Sequence, residues 1–253
     1  MLNIKTFNTK LIYGDVTMDS YEIFSLSLDI GEAIIKSGGE IYRAEDTIKR
    51  INKAYNQDCR VFAVPRLIIA QSGKKIEIRK IDKEYTDLAE LDRVNSFSRR
   101  LCLENSEEIS VTKRKIYKKE VQSLSIFLAT FSFSLFFGGK ITDAVFSGII
   151  GLTVSYSSYK NIDLPEFSSN LIDAFIICVM AHIPYYAGFS VTPDKIIIGA
   201  IMLLVPGLTV ANAMRDLMNG DLLAGLIELF NSIFSALGIA MGVAGGLFIF
   251  NRL

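Results

Sequence analysis

The chain has 253 residues, of which 50% are hydrophobic, and its 27 basic and 27 acidic side chains cancel. A neutral chain without a basic patch interleaved with aromatic residues argues against nucleic-acid binding. The three cysteines are widely spaced and form no CxxC pair, so the sequence also argues against a disulfide framework or a zinc site.

Charge is distributed unevenly along the chain. Residues 1–120 contain 22 of the Lys and Arg and 19 of the Asp and Glu, and residues 121–253 contain the other 5 and 8. This contrast predicts a cytoplasmic soluble domain over residues 1–120 and a transmembrane helical domain over residues 121–253. Residues 1–18 carry scattered charges and no apolar run, so we expect a loose arm there and no secretory signal.

Helical and strand patterns in the first half predict a small α+β domain. Apolar residues at helical spacing predict helices that run from Asp19 to a stop at Ser37-Gly38-Gly39, from Ile41 to Asn56, from Asp87 to Leu103 and from Ser106 to about Lys119. Short runs separated by Pro65 and Gly73 predict a three-stranded antiparallel sheet, with strands at Arg60–Val64, Leu67–Ala70 and Lys75–Ile81.

A dense group of charges follows the first predicted helix, in the segment GGEIYRAEDT at 38–47. Its members lie within two helical turns: Glu40, Arg43, Glu45 and Asp46. Because residues three or four apart share a helix face, Arg43 can pair with Glu40 or Thr47. Asp46 can pair with Lys49 or Arg50 in the same way. The group is either a solvated first turn or an interaction surface or gate beside the membrane domain.

A helix needs about 20 mostly apolar residues to cross a bilayer. Five stretches of the second half meet this requirement: Val121–Gly138, Ile141–Tyr159, Leu171–Ala187, Ile196–Met214 and Leu222–Phe250. The lysines and arginine between 113 and 119 predict that the first span begins in the cytoplasm. We therefore expect a multi-pass protein of the plasma membrane with a cytoplasmic N-terminal domain.

The fourth stretch carries Pro206-Gly207 near its middle. Proline removes a backbone donor and glycine tolerates most backbone angles, so the pair predicts a kink or break. A break inside a bilayer survives only where protein or a water-filled cavity covers it, which is where transporters bind their substrates. The half-helix after the break would present N–H groups to a carboxylate, and Asn212 and Arg215 extend its polar face. We predict a site for a small anionic or zwitterionic molecule here.

Polar residues inside membrane spans are costly and therefore informative. Glu228 and Asn231 lie three residues apart in the last span. Glu228 should be protonated, face water, or pair with Arg215 or Asn212. If its proton exchanges, Glu228 could couple transport to a proton gradient.

The second and third spans add further polar residues. Asp173 and His182 are candidates for proton coupling, but a lone histidine in a span more often packs with a hydrogen bond to a neighbouring carbonyl. Asp143 either reaches the membrane interface or marks the boundary of a span. In the last span, glycines interleaved with Ala236, Ala240 and Ala244 predict a surface for close helix packing: Gly238, Gly242, Gly245 and Gly246.

Nothing in the pattern predicts catalysis, a metal or a cofactor. The glycines lack the spacing of a phosphate loop. With one histidine and no GxSxG motif, the sequence offers few residues that could form a catalytic nucleophile with its general base. A transporter subunit is the preferred interpretation. A structural or sensing membrane protein and an intramembrane enzyme are the alternatives.

Three segments resemble the threonine/serine exporter (ThrE) family: GGEIYRAEDTIKRI at 38–51, LDRVNSFSRRL at 91–101 and LVPGLTVANAMRDLMNGDLLAG at 204–225. The resemblance covers nearly the whole chain. It implies export driven by the membrane gradient, with threonine, serine or, in one branch, succinate as cargo. The motif positions that it implies are Glu40, Arg43, Glu45, Pro206, Gly207, Asn212, Arg215 and Asp216.

Full-length members of that family have twice as many spans as we predict here. The chain therefore resembles the larger subunit of a split form, whose second subunit is a smaller membrane protein. The partners that the resemblance implies are this second subunit, a small carboxylate or amino acid, and membrane lipid. Homo-oligomerisation is left open.

Overall fold

The computed structural model describes residues 19–82, 85–103, 117–158 and 164–250. The predicted N-terminal arm and most of the predicted helix from Ser106 to Lys119 lie outside these ranges. The chain forms two compact units that alternate along the sequence: unit 1 is Met1–Lys115 with Leu208–Leu229, and unit 2 is Ile116–Gly207 with Phe230–Leu253. The assignment of 1–120 to the cytoplasm and of 121–253 to the membrane stays a prediction.

Unit 1 begins with a helical hairpin. Helix α1 (Ser20–Lys36) and helix α2 (Ile41–Ala54) are joined by a turn in which Gly38 has a φ of 77°, a conformation that favours glycine. The hairpin packs closely at Gly31, where a Cβ atom would lie 2.8 Å from Ile48 Cγ1. The apolar stripe of α2 contains four fully buried side chains: Ile41, Ala44, Ile48 and Ile51.

The predicted three-stranded antiparallel sheet is confirmed, in the order β1-β2-β3. The strands are β1 (Cys59–Val64), β2 (Leu67–Ser72) and β3 (Lys75–Lys80). One face of this sheet contributes Ala63, Ile68 and Ala70 to the core that the hairpin forms.

Helix α3 (Leu88–Leu103) adds Val94, Phe97 and Leu101 to the same core. Leu88, the first residue of this helix, is exposed. The last elements of unit 1 come from much later in the chain: helix α8 (Gly207–Met218) and the beginning of helix α9 (Leu222–Phe250). Ala224 of α9 is fully buried in the core of unit 1.

Unit 2 contains the remainder of α9 and four further helices: α4 (Lys119–Phe136), α5 (Ile141–Ser158), α6 (Glu166–Tyr186) and α7 (Pro193–Ile201). The described chain is thus mostly helical with one small sheet, as predicted. Among the described helices, α6 and α9 are long and apolar enough to cross a membrane, judged by length and composition alone. Five spans stay a prediction.

The side chains of α4 are arranged in the reverse of a water-soluble helix. Its buried residues are Thr130 and Ser134, whereas Leu124, Leu128 and Phe136 are exposed. Small polar side chains at helix contacts, with leucines facing outward, are typical of helices that pack in lipid.

The predicted break at Pro206-Gly207 is confirmed. Helix α7 ends at Ile201 and α8 begins at Gly207. Between them, the N–H of Leu204 donates to the carbonyl of Ile201 at 2.8 Å, and the N–H of Gly207 donates to that of Val205 at 2.8 Å. These short turns pair some of the backbone groups that the interruption frees.

The predicted packing surface of the last span is confirmed where α9 meets α6. A Cβ atom at Gly238 would lie 2.6 Å from the carbonyl oxygen of Phe167, and one at Gly246 would lie 2.6 Å from Cys178 Cβ. Gly242 makes a similarly close approach to Leu171. The alanines predicted on this surface instead line an apolar groove of unit 2 together with Val205 and Pro206: Ala236, Ala240 and Ala244.

Candidate functional site

A row of polar side chains on α8 faces the turn between α1 and α2. Asn212, Arg215 and Asp216 lie at positions i, i+3 and i+4 of the helix, so they share one face. Asn212 Nδ2 donates to the carbonyl oxygen of Gly38 at 2.9 Å. Two of the three segments that carry the family resemblance, 38–51 and 204–225, therefore contact each other within unit 1.

Asp216 caps the N-terminus of α2. Its Oδ2 accepts the backbone N–H of Ile41 at 3.2 Å, and its Oδ1 accepts that of Tyr42 at 3.1 Å. The first N–H groups of a helix have no partner within it, and a carboxylate suits the positive end of the helix. Burial raises the pKa of Asp216, although the two backbone hydrogen bonds oppose the rise. Asp216 is fully buried, so in this structure it caps a helix and is not open to cargo.

Glu40 lies between two arginines. Arg215 Nη1 is 2.7 Å from Glu40 Oε1, and Arg43 Nη1 is 3.5 Å from Glu40 Oε2. The predicted pair between Arg43 and Glu40 is thus confirmed. The carboxylate is largely covered, with 13% of its side chain exposed, whereas the side chain of Arg215 is 62% exposed. The three residues form an accessible group with a net positive charge.

Glu45 joins α2 to the sheet. Its Oε1 accepts the backbone N–H of Ala63 in β1 at 2.8 Å, and its Oε2 pairs with Lys49 Nζ at 2.8 Å. Arg50 donates to Ser98 Oγ at 3.3 Å. Both predicted partners of Asp46 therefore bond elsewhere, and that pairing prediction is wrong. Lys49 pairs with Glu45 and not with Asp46 because the bond to Ala63 already fixes the orientation of the Glu45 carboxylate.

The predicted partners of Glu228 also bond elsewhere. Arg215 contacts Glu40 and Asn212 donates to Gly38, and the pairing of either residue with Glu228 stays a prediction. The α1–α2 turn offers both donors an acceptor, and spacing within the second half of the chain could not reveal it. Glu228 is buried on α9, whereas Asn231 is exposed.

His182 has the geometry of a packing residue. Its Nδ1 lies 2.8 Å from the carbonyl oxygen of Cys178, and its ring stacks on Phe250 with 4.2 Å between centroids. Asp173 is buried one turn from Ser169 on the same helix, α6. A proton-coupling role for Asp173 or His182 stays a prediction. Among the described residues, no group of three His, Cys, Asp or Glu side chains could hold a metal ion.

Asp143 binds two turns of unit 2 to each other, a role that we did not predict. It is fully buried within the protein. Its Oδ2 accepts the N–H of Lys140 at 2.9 Å, and its Oδ1 accepts that of Thr192 at 2.8 Å. A signal was present in the sequence, because GGKI at 138–141 repeats GGEI at 38–41. In both places a buried carboxylate binds backbone N–H groups where a helix begins.

Comparison with known protein families supports the resemblance. The model of the threonine/serine exporter family matches residues 25–250. The chain belongs to the threonine/serine exporter (ThrE) family. Proteins of this family are described as threonine/serine exporters, a description that points to transport across a membrane.

A similar protein is the threonine/serine exporter of Corynebacterium glutamicum, with 21% identity over 258 residues. The match covers 89% of this ThrE chain and 50% of that protein. The chain thus spans half the length of the curated relative that it matches. No solved structure matches it.

Proposed function

We propose that this ThrE chain is one subunit of a secondary-active exporter that moves small carboxylates out of the cytoplasm: threonine and serine, or a dicarboxylate such as succinate. Family membership supports the exporter role. The exposed leucines of α4 support a membrane-embedded unit 2, because unburied apolar side chains are favourable in lipid and unfavourable in water. The proposal includes five spans in the plasma membrane and a cytoplasmic N-terminal domain.

The contact between Arg215 and Glu40 carries the proposal for cargo binding. The exposed guanidinium makes this a weak ion pair of the surface type. Arginine binds carboxylates through a planar fork of donors, and Glu40 is itself a carboxylate. A cargo carboxylate can therefore replace Glu40 on Arg215 without a change in the type of interaction.

Arg43 allows Glu40 to release Arg215 without losing its only counter-charge. A carboxylate that is mostly covered is costly to leave without a counter-charge. Arg43 contacts the carboxylate oxygen that Arg215 does not use. When cargo binds Arg215, Glu40 still forms an ion pair with Arg43. The segment that contains Glu40, Arg43, Glu45 and Asp46 would then act as a cytoplasmic gate.

The start of α8 supplies a second position for cargo. The break at Pro206-Gly207 leaves the first N–H groups of α8, at residues 208–210, at the positive end of a helix. Arg215 follows Gly207 by eight residues, or about 12 Å at 1.5 Å per residue. We assign the two places to successive steps of transport. Asn212 and Asp216 position α8 on the α1–α2 turn.

Glu228, Asp173 and His182 are the proposed groups for proton coupling, and Glu228 and Asn231 are proposed to line the route. A second, smaller membrane subunit is the proposed partner, supported by the twofold length of the Corynebacterium relative. A homo-oligomer is the alternative assembly. A structural or sensing membrane protein is the second candidate function, because the bonds between α8 and the α1–α2 turn could also transmit a conformational signal.

Efflux from loaded vesicles tests the proposal. Vesicles with the chain and its second subunit are loaded with labelled threonine, serine or succinate. Arg215→Ala should abolish efflux of the cargo while the amount of folded protein is unchanged. Arg99→Ala removes a matched exposed arginine of unit 1 and should leave efflux intact. Full efflux by both Arg215→Ala and Pro206→Ala would overturn the proposed site, and efflux that does not depend on the chain would overturn the function.

A further inference from the structure

The outer face of the sheet in unit 1 is apolar and exposed. Phe62 pairs with Ile69 and Ile69 pairs with Ile78, so the three side chains form one row across the strands. Phe62 is 48% exposed and Ile78 is 66% exposed, and Ile76, on the same face of β3, is 63% exposed. An apolar face that stays in water is unfavourable, so it indicates a binding surface.

The charges on this face are positive. The outward positions of the three strands, all of which the structure describes, hold Arg60 and Lys80 and no acid. The residues that flank the strands include exposed Arg66 and Lys74 but also exposed Asp58 and Asp82, so the positive charge of the face comes from Arg60 and Lys80. Lys80 also pairs with Asp82 at 3.2 Å, but both side chains are about four-fifths exposed, so the pair contributes little.

We propose that this face binds the surface of an anionic lipid bilayer. The lipid-binding face is defined by Phe62, Ile69, Ile76 and Ile78 with Arg60 and Lys80. Its apolar side chains enter the boundary between headgroups and acyl chains, and its cations meet the lipid phosphates. The inference rests on the membrane location of the ThrE family and not on the identity of the cargo.

A second copy of the chain is the alternative occupant, and two observations disfavour it. Each face carries two cations and no acid at its outward strand positions, so two copies would repel one another. The face is also small. Three strands of six residues cover about 300 Å², from strand spacings of about 4.8 Å and a rise of about 3.4 Å. A stable interface buries about 800 Å² on each partner.

Tryptophan fluorescence gives a direct test, because the chain contains no tryptophan. The full-length Phe62→Trp variant is reconstituted into phosphatidylcholine vesicles with or without phosphatidylglycerol, and part of the lipid carries a nitroxide near the headgroup. We expect strong quenching and a blue shift with phosphatidylglycerol, and a loss of quenching at high salt. Ile78→Trp repeats the test if Phe62→Trp fails to fold.

Two further variants make the result specific. Tyr85→Trp places the probe at an exposed aromatic position outside the sheet, where lipid quenching should be weak. Arg60→Gln with Lys80→Gln should reduce the quenching of Phe62→Trp several-fold in phosphatidylglycerol vesicles.

Three results would overturn the inference. One is equal quenching of Phe62→Trp and Tyr85→Trp, and another is quenching that is the same with and without phosphatidylglycerol. The third is protection from a soluble quencher that disappears at a lower protein-to-lipid ratio without any lipid quenching, which would show that a second copy covers the face. Efflux measured on the same vesicles separates a failure of this inference from a failure of the exporter proposal.

Discussion

Arg215 Nη1 lies 2.7 Å from Glu40 Oε1, although 175 residues separate the two along the chain. The contact joins the two motif segments of the ThrE family within one compact unit. Because Arg215 is mostly exposed, the pair should contribute less than about 1 kcal/mol to the free energy of unfolding. Its loss should therefore affect transport more than folding.

Exchange of the two charges tests this pair. Glu40→Arg alone places a third guanidinium beside Arg43 and Arg215, so the melting temperature and the rate of efflux should both fall. Glu40→Arg with Arg215→Glu restores the attraction and should recover the melting temperature. Efflux should stay lost, because α8 then offers cargo no arginine. Normal efflux by the double variant would show that Arg215 does not bind cargo.

Truncation of Asp216 should destabilise unit 1. Asp216→Ala leaves the buried N–H groups of Ile41 and Tyr42 without this acceptor, at a cost of about 1–3 kcal/mol. Asp216→Asn should cost less, because burial already raises the pKa of this carboxyl and the amide keeps one acceptor oxygen. Chemical denaturation measures both, with the exposed Asp46→Ala as the control. Equal stability of Asp216→Ala and Asp46→Ala would contradict the capping role.

Gly31→Ala should destabilise the hairpin of α1 and α2. The new Cβ atom would lie 2.8 Å from Ile48 Cγ1, and overpacking of this kind costs about 1–3 kcal/mol. Ile48→Val in the same chain should recover part of the loss. Gly245→Ala is the matched helical control. Its Cβ would meet Phe175 at an ordinary 3.7 Å, so the variant should be neutral or slightly more stable.

Exposed leucines of the two units should respond differently to charge. Leu128→Lys on α4 should impair membrane insertion by about 3 kcal/mol if that position faces lipid. Leu88→Lys replaces an equally exposed leucine of α3 in unit 1 and should insert normally. Extraction of membranes with alkaline carbonate measures insertion. Normal insertion of Leu128→Lys would place α4 outside the bilayer.

The thiol of Cys59 should be unreactive at neutral pH. Burial, with a further contribution from Asp58, raises its pKa to about 11. Only the thiolate is nucleophilic, so alkylation should accelerate as the pH rises towards that value. In a chain with Cys102→Ser and Cys178→Ser, Asp58→Asn should increase the rate of alkylation, whereas Asp92→Asn should not. Rapid alkylation at neutral pH without Asp58→Asn would refute the expectation.

Local pattern was enough to predict most of unit 1 and the interruption before α8. Helix stripes, Pro65 and Gly73 are short-range signals, and they placed the hairpin and the three strands correctly. Pro206-Gly207 disrupts the helix locally, so the break was equally predictable from the sequence. Hydropathy nevertheless counted 196–214 as a single span with an interruption, and it could not show that α8 belongs to a different compact unit from α7.

Short-range sequence patterns could not predict the contacts of the candidate site. Asp216 binds N–H groups that precede it by more than 170 residues, and no periodicity encodes such a partner. Asp143 was missed for a related reason. A carboxylate at a span end suggests an interface, and only the second turn, at Thr192, explains its burial.

The order of synthesis follows from the interleaving of the two units. Helix α2 leaves the ribosome 174 residues before the carboxylate that binds the N–H of Tyr42. At about 5–20 residues per second, that delay lasts about 10–35 seconds. The first unit of the protein therefore waits, with the start of one helix uncapped, until most of the second unit has been made. A chaperone that covers the 38–42 turn during translation would protect the nascent chain for the whole of that interval.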